Sequence, residues 1–107
     1  MTTVSVRYEG GSIGSISVKD HADYAEYGHD IVCAAASVLI TTCANALETV
    51  AGVSPITHVN ESTAEIRVTL PKGLAPQQHH DAQIILRTTE QGFRDIAQQY
   101  PKNLKMI

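Results

Sequence analysis

From Thr3 to Glu9 apolar and polar residues alternate, with Val4, Val6 and Tyr8 on one side of the chain and Ser5 and Arg7 on the other. A two-residue step is the period of a half-buried strand, and it returns from Ser12 to Val18 through Ile13, Gly14, Ile16 and Val18. Gly10-Gly11 between the runs is a turn signal, so the two predict an antiparallel hairpin. The polar stretch from Asp23 to Gly28 is too short for a further element and predicts a surface loop. From Ile31 to Val50 the step becomes helical. Its first half, through Ile40, is apolar on nearly every side, which predicts a buried helix or one covered by a partner. Thr41, Asn45, Glu48 and Thr49 mark a wetter face, and Gly52 is a stop signal.

Ser54 to Asn60 and Ala64 to Leu70 repeat the strand pattern around Asn60-Glu61-Ser62-Thr63, predicting a second hairpin. Pro71-Lys72-Gly73 breaks it, and Ala75-Pro76 opens a second helix. Across Gln78 to Gln99, Ala82, Ile85, Leu86, Phe93, Ile96 and Ala97 recur at three- and four-residue steps, so this helix is the more amphipathic of the two. Pro101 ends it, and Lys102 to Ile107 predicts a last strand. The order β-β-α-β-β-α-β implies an α+β fold with both helices on one face of a largely antiparallel sheet.

A chain of 107 residues predicts a single domain, 1–107, with a modest core. It has no Trp and one Phe, so that core must rest on Ile, Val, Leu and Ala. The formal net charge of −3 argues against a protein that grips phosphates, and no direct nucleic acid binding is expected. Met1-Thr2-Thr3-Val4-Ser5 lacks the basic start and apolar run of a signal peptide, and no segment is expected to span a membrane, which makes the cytoplasm the default. Cys33 and Cys43 lie ten positions apart in one predicted helix, roughly 15 Å along its axis, too far to pair.

The candidate chemistry lies between Lys19 and Ser37. His21 falls at the end of the second predicted strand, and a loop then leads to Asp30 and the first helix. With Asp30 as N-cap, Ile31, Val32 and Cys33 are the first helical residues, and Cys33 sits in the positive end of the helix dipole, where thiolates are stabilised. His21 has the chemistry of a general base. Asp30 caps the helix or orients His21, and Ser37 lies one turn beyond Cys33 on the same face. The plainer readings are a buried inert thiol at Cys33, which is also the reading for Cys43, and an ordinary polar histidine at His21. His29 reads as a loop residue, and His79 and His80 as an exposed face. A metal site from His21, His29 and Cys33 lacks the spacing of a zinc motif, and a thiol-redox role lacks a resolving cysteine. No metal or cofactor is expected.

The residues His21-Ala22 followed by Gly28-His29-Asp30-Ile31-Val32-Cys33-Ala34-Ala35-Ala36-Ser37 resemble the hallmark of the ribosomal-processing cysteine proteases, the Prp family. That hallmark is Gly-His-Ala at a strand end, then a loop and Gly-X-Asp-Ile-Val-Cys-Ala-Ala-(Val)-Ser. The resemblance implies a cysteine endopeptidase with a Cys33/His21 dyad, with Asp30 and Ser37 in support. It also implies a homodimer, and as substrate the N-terminal extension of a bacterial large-subunit ribosomal protein, number twenty-seven, removed during ribosome assembly. The chain departs from the pattern at Asp20, where the family has glycine before the histidine. A binding module of the same fold without catalysis is the competing expectation. The loop from Asp23 to His29 is expected to act as a cover over the site, and helix-start N–H groups, Cys33's own included, to hold the oxyanion.

Overall fold

The computed structural model describes residues 1–20 and 29–107, with side chains from Ile31 onward in the second part. The elements are β1 (Thr2–Glu9), β2 (Ser12–Asp20), α1 (His29–Thr49), β3 (Ile56–Asn60), β4 (Glu65–Thr69), α2 (Pro76–Gln99) and β5 (Leu104–Met106). That is the predicted order. The strands form one sheet in the order β3-β4-β2-β1-β5, antiparallel except where β5 runs parallel to β1.

Gly10 and Gly11 both have positive φ, +58° and +85°, and join Glu9 to its partner Ser12 in a two-residue turn whose twist suits a hairpin. Between Arg7 and Tyr8 the register shifts by a bulge, with Ser15 opposite Arg7 and Ile13 opposite Tyr8. Val4 pairs with Val18 and Ile16 with Val68, and all four are buried, so they define one apolar face. Ser17, paired with Ser5 and Arg67, lies on the other, polar face.

Both helices pack on the apolar face. α1 presents Val32, Ala36, Ile40, Cys43 and Leu47, at steps of three and four, and α2 presents Ala82, Leu86, Thr89 and Phe93. With Val53 and Leu104 these apolar side chains form a single core cluster. Phe93, the lone phenylalanine, is its largest member, and the rest is aliphatic, as the composition requires.

Gly52, at φ +66°, turns the chain out of α1, its N–H donating to the Glu48 carbonyl at 3.2 Å. α2 opens with Pro76, which needs no N–H partner there, and the Gln78 side chain links the helix start to two backbones. Its Oε1 accepts from the Ala75 N–H at 3.1 Å and its Nε2 donates to the Gly52 carbonyl at 3.0 Å.

One expectation is corrected: by length and composition Ile31–Thr49 is long and apolar enough to cross a membrane. The buried stripe of that helix packs into the core of this fold. α1 is described from His29, and the side chain of Asp30, the expected N-cap, lies outside the described residues.

Candidate active site

β2 and α1 together build the site. Alternation along β2 places Ile16 and Val18 in the core, and the same step carries Asp20 to the helix side at the strand's end. On α1, Cys33 lies one residue round from the buried Val32, which leaves its side chain half-buried at the border between core and solvent. The two meet: the Cys33 thiol donates to Asp20 Oδ2 at 3.3 Å. The other carboxylate oxygen, Oδ1, accepts from the Thr2 hydroxyl at 3.4 Å, and Thr2 is buried opposite Asp20 on β1.

Beside this contact is a cavity of about 330 Å³ between α1 and the β3–β4 hairpin. Cys33, Ala36, Ser37 and Ile40 form its helical wall, at positions i, i+3, i+4 and i+7 of a single face. Val18 and Ile66, paired across β2 and β4, face it from the sheet, and Val59 continues that wall. Ser37 is exposed and shares the cavity with Cys33, as the one-turn spacing predicts. The cavity suits part of a peptide: its walls are mostly apolar and the nucleophile candidate is among its lining residues.

His21 and the expected covering loop from Asp23 to Gly28 lie outside the described residues, as do the side chains of His29 and Asp30. Which N–H groups are free at the start of this helix depends on residues before His29, so the expected oxyanion donors, Cys33's own N–H included, lie outside what the described residues test.

Cys43 sits in the core, and burial pushes its thiol above the ordinary range. A thiol that resists ionisation in a closed core is a packing group, as its mid-helix position predicts. His80 is exposed beside Asp81, with Nδ1 and Oδ1 at 3.3 Å. His79 borders a different cavity, of about 560 Å³, along Leu70 to Leu74. Among the described residues no group of three His, Cys, Asp or Glu is placed to hold a metal.

The contact that sequence reasoning missed is the one from Cys33 to Asp20. Asp20 was read only as a departure from a glycine pattern, yet the signal was present, because Ile16, Val18 and Asp20 share a strand face.

The sequence model of the family described as "Cysteine protease Prp" matches residues 1–105. The chain belongs to that family. It is therefore a cysteine protease, and of its two cysteines Cys33 lines an accessible cavity while Cys43 is closed in the core. The chain is 27% identical over 92 residues to the ribosomal processing cysteine protease Prp of Bacillus subtilis, covering 86% of this chain and 82% of that one. It is also similar in structure to the ribosomal processing protease Prp of Staphylococcus aureus in complex with a substrate peptide, with a TM-score of 0.85 and 26% identity. That alignment covers 100% of this chain and 98% of the other. A second structure of the S. aureus protease, with a covalently linked product peptide, aligns with a TM-score of 0.80 and 27% identity over 99% and 97% of the two chains. The fold thus recurs in enzymes whose structures hold peptides.

Proposed function

We propose that this protein is a ribosomal-processing endopeptidase that removes the N-terminal extension of large-subunit ribosomal protein twenty-seven, with Cys33 as nucleophile and His21 as its base. The observation that carries the reading is the half-buried Cys33 in the wall of a mostly apolar cavity, in a chain of the Prp family. The S. aureus relative, which holds a substrate peptide in one structure and a covalently linked product peptide in another, supports covalent catalysis.

In this mechanism His21 takes the Cys33 proton, and the thiolate attacks the scissile carbonyl to form a tetrahedral oxyanion. Collapse expels the amine, which takes its proton from His21, and leaves a thioester on Cys33. Water, activated by the same imidazole, then releases the shortened acid and restores the thiol. The positive end of α1 favours both the thiolate and the oxyanion, and free N–H groups at the helix start supply donors. Ser37, exposed at the cavity one turn on, supports the peptide by hydrogen bonding, and Asp30 adds a first-turn carboxylate that orients His21.

The homodimer is part of the same proposal. It rests on the family resemblance and on apolar side chains that one chain leaves in water on α1, Ile31 and Val38, which are 59% and 64% exposed. A cytoplasmic setting follows from a ribosomal substrate.

The test is intact-mass analysis of the extended ribosomal protein after incubation with the wild type, Cys33→Ala and Cys43→Ala. Clipping at one bond is expected for wild type and Cys43→Ala, with a loss of roughly 10³-fold or more for Cys33→Ala. Clipping by Cys33→Ala at the wild-type rate would refute the nucleophile. Binding without clipping by the wild type would favour the non-catalytic module.

A further inference from the structure

Against the nucleophile stands a carboxylate that the family pattern does not contain. Asp20 accepts the Cys33 thiol hydrogen at 3.3 Å through Oδ2, and through Oδ1 accepts from Thr2, a residue 1% exposed. Its backbone is fixed as well. The Asp20 N–H donates to the Ala64 carbonyl at 3.2 Å, which ties the end of β2 to the hairpin across the cavity. A side chain anchored on a buried threonine, at the end of a paired strand, stays in front of the sulfur.

We propose that Asp20 is a positioning residue for this protease: it aims the Cys33 S–H and keeps the proton on sulfur in the resting enzyme, so that release of the nucleophile is set by Asp20. The inference rests on Cys33 being the nucleophile.

The physical reason is a balance of two states. While sulfur holds its proton, an S–H to carboxylate hydrogen bond is present. Once the proton leaves for the base, that bond is gone and two negative charges face each other across the same gap, so both effects favour the thiol. The helix dipole opposes them, and its pull weakens beyond the first turn.

The neighbouring charges do not cancel Asp20. Glu61 and Glu65 border the cavity from the hairpin, and Glu65 is held on the opposite sheet face by the Ser17 hydroxyl at 2.8 Å and Arg67 at 3.0 Å. Lys19, paired with Glu65, is on that opposite face too. No Lys or Arg borders the cavity among the described residues. By sequence, residues 21–28 bring His21, Asp23, Tyr24, Glu26 and Tyr27 but neither Lys nor Arg, and the first turn of α1 brings His29 and Asp30. Positive charge that can bear on the carboxylate comes from the α-amino group of Met1, one residue from Asp20's partner Thr2, and, by sequence, from the imidazoles of His21 and His29.

The experiment follows the rate of iodoacetamide alkylation at Cys33 against pH, by peptide mass mapping of the full chain, in wild type, Asp20→Asn and Asp20→Gly. Cys43 serves as the internal reference. Asparagine keeps the shape and the acceptor for Thr2 while removing the charge, and glycine restores the family residue. In both variants the midpoint for Cys33 is expected to fall by about 1–2 pH units, which is roughly 10- to 100-fold faster labelling below both midpoints. An unchanged midpoint in both would overturn the proposal, and so would a fall confined to Asp20→Gly, because charge would then not be the cause. Alkylation needs no substrate. A lowered midpoint in variants that, like the wild type, cut no peptide would uphold the hold on the thiol while sinking the endopeptidase reading.

Discussion

Gly92 lies on α2 where that helix meets α1, and a side chain added there tests how tightly the site-bearing helix is held. A Cβ built at Gly92 falls 2.9 and 3.0 Å from the two terminal carbons of Leu39, against an ordinary contact of about 3.5–4.0 Å. Two effects compete. Replacing a mid-helix glycine by alanine stabilises a helix by about 1 kcal/mol. Overpacking a fitted contact costs about 1–3 kcal/mol, since Leu39 must leave its rotamer or the helices must part. Leu39 is partly buried against the core, so it has limited room to swing. Gly92→Ala alone is therefore expected to destabilise by up to about 2 kcal/mol, the difference of those terms.

Truncating Leu39 removes the obstruction and reverses the sign: in a Leu39→Ala background Gly92→Ala is expected to stabilise by about 1 kcal/mol. Leu39→Ala itself costs about 2 kcal/mol in lost burial. Urea unfolding of the four proteins reads this cycle directly, and a coupling of about 1–3 kcal/mol is expected, as for side chains in contact. If Gly92→Ala has the same sign in both backgrounds, the argument that Leu39 closes this helix contact is wrong.

Glu65 is held below the usual carboxylate range first by the Ser17 hydroxyl and then by Arg67. A depressed value in the folded state contributes stability that is present above the unfolded pKa, near ~4.3, and is lost as pH falls through the folded one. The gap in urea midpoint between wild type and Ser17→Ala is thus expected to narrow from pH 6 to pH 3 (roughly the two sides of that range), and a constant gap would refute the assignment. Val38→Glu places a charge on the exposed apolar face of α1. If the proposed homodimer uses this face, sedimentation or light scattering should report a shift toward monomer with urea stability little changed, and an unchanged mass would refute this face as the interface. Cys43→Ser puts a hydroxyl into the core with little change in volume, so it should lower stability by about 1–3 kcal/mol while leaving the rate of peptide cleavage per folded molecule as it was.

The period of the apolar residues was enough to read all seven elements, because alternation marks the strands, even β3, which has no buried residue, and α2 has one dry stripe. What it misplaced were ends. β3 begins at Ile56 rather than Ser54, and β5 covers Leu104–Met106 rather than the whole of Lys102 to Ile107. α2 opens at Pro76, as the Ala75-Pro76 signal predicts. At the site, Cys33 and Ser37 were legible because four-residue spacing puts them on one face, and the cavity confirms that they share it. The Cys33–Asp20 contact joins residues from different elements, and only the crossing of α1 over the end of β2 brings them together. His21, Asp30 and the expected cover depend on residues outside the described ones, so their roles rest on the motif.

One geometric fact links the core to the chemistry. The buried stripe of α1 begins at Val32, and a helix turns by about 100° per residue, so Cys33 must emerge at the edge of the stripe, beside the sheet rather than away from it. Its rotation about the helix axis is fixed by Val32, Ala36 and Ile40 below it, all at most 2% exposed. The acceptor is fixed by the same packing, since Ile16 and Val18 in that core set the alternation that turns Asp20 inward. Nucleophile and carboxylate are thus two outlets of one apolar cluster. A change that rotates α1, such as Ala36→Leu forced against Val18, should alter Cys33 alkylation at fixed pH in proportion to its cost in stability. Core substitutions on α2 far from the stripe, such as Phe93→Leu, should lower stability without moving the alkylation midpoint. Equal midpoint shifts from both would show that the thiol responds to general loosening, and the argument for a fixed rotation would fail.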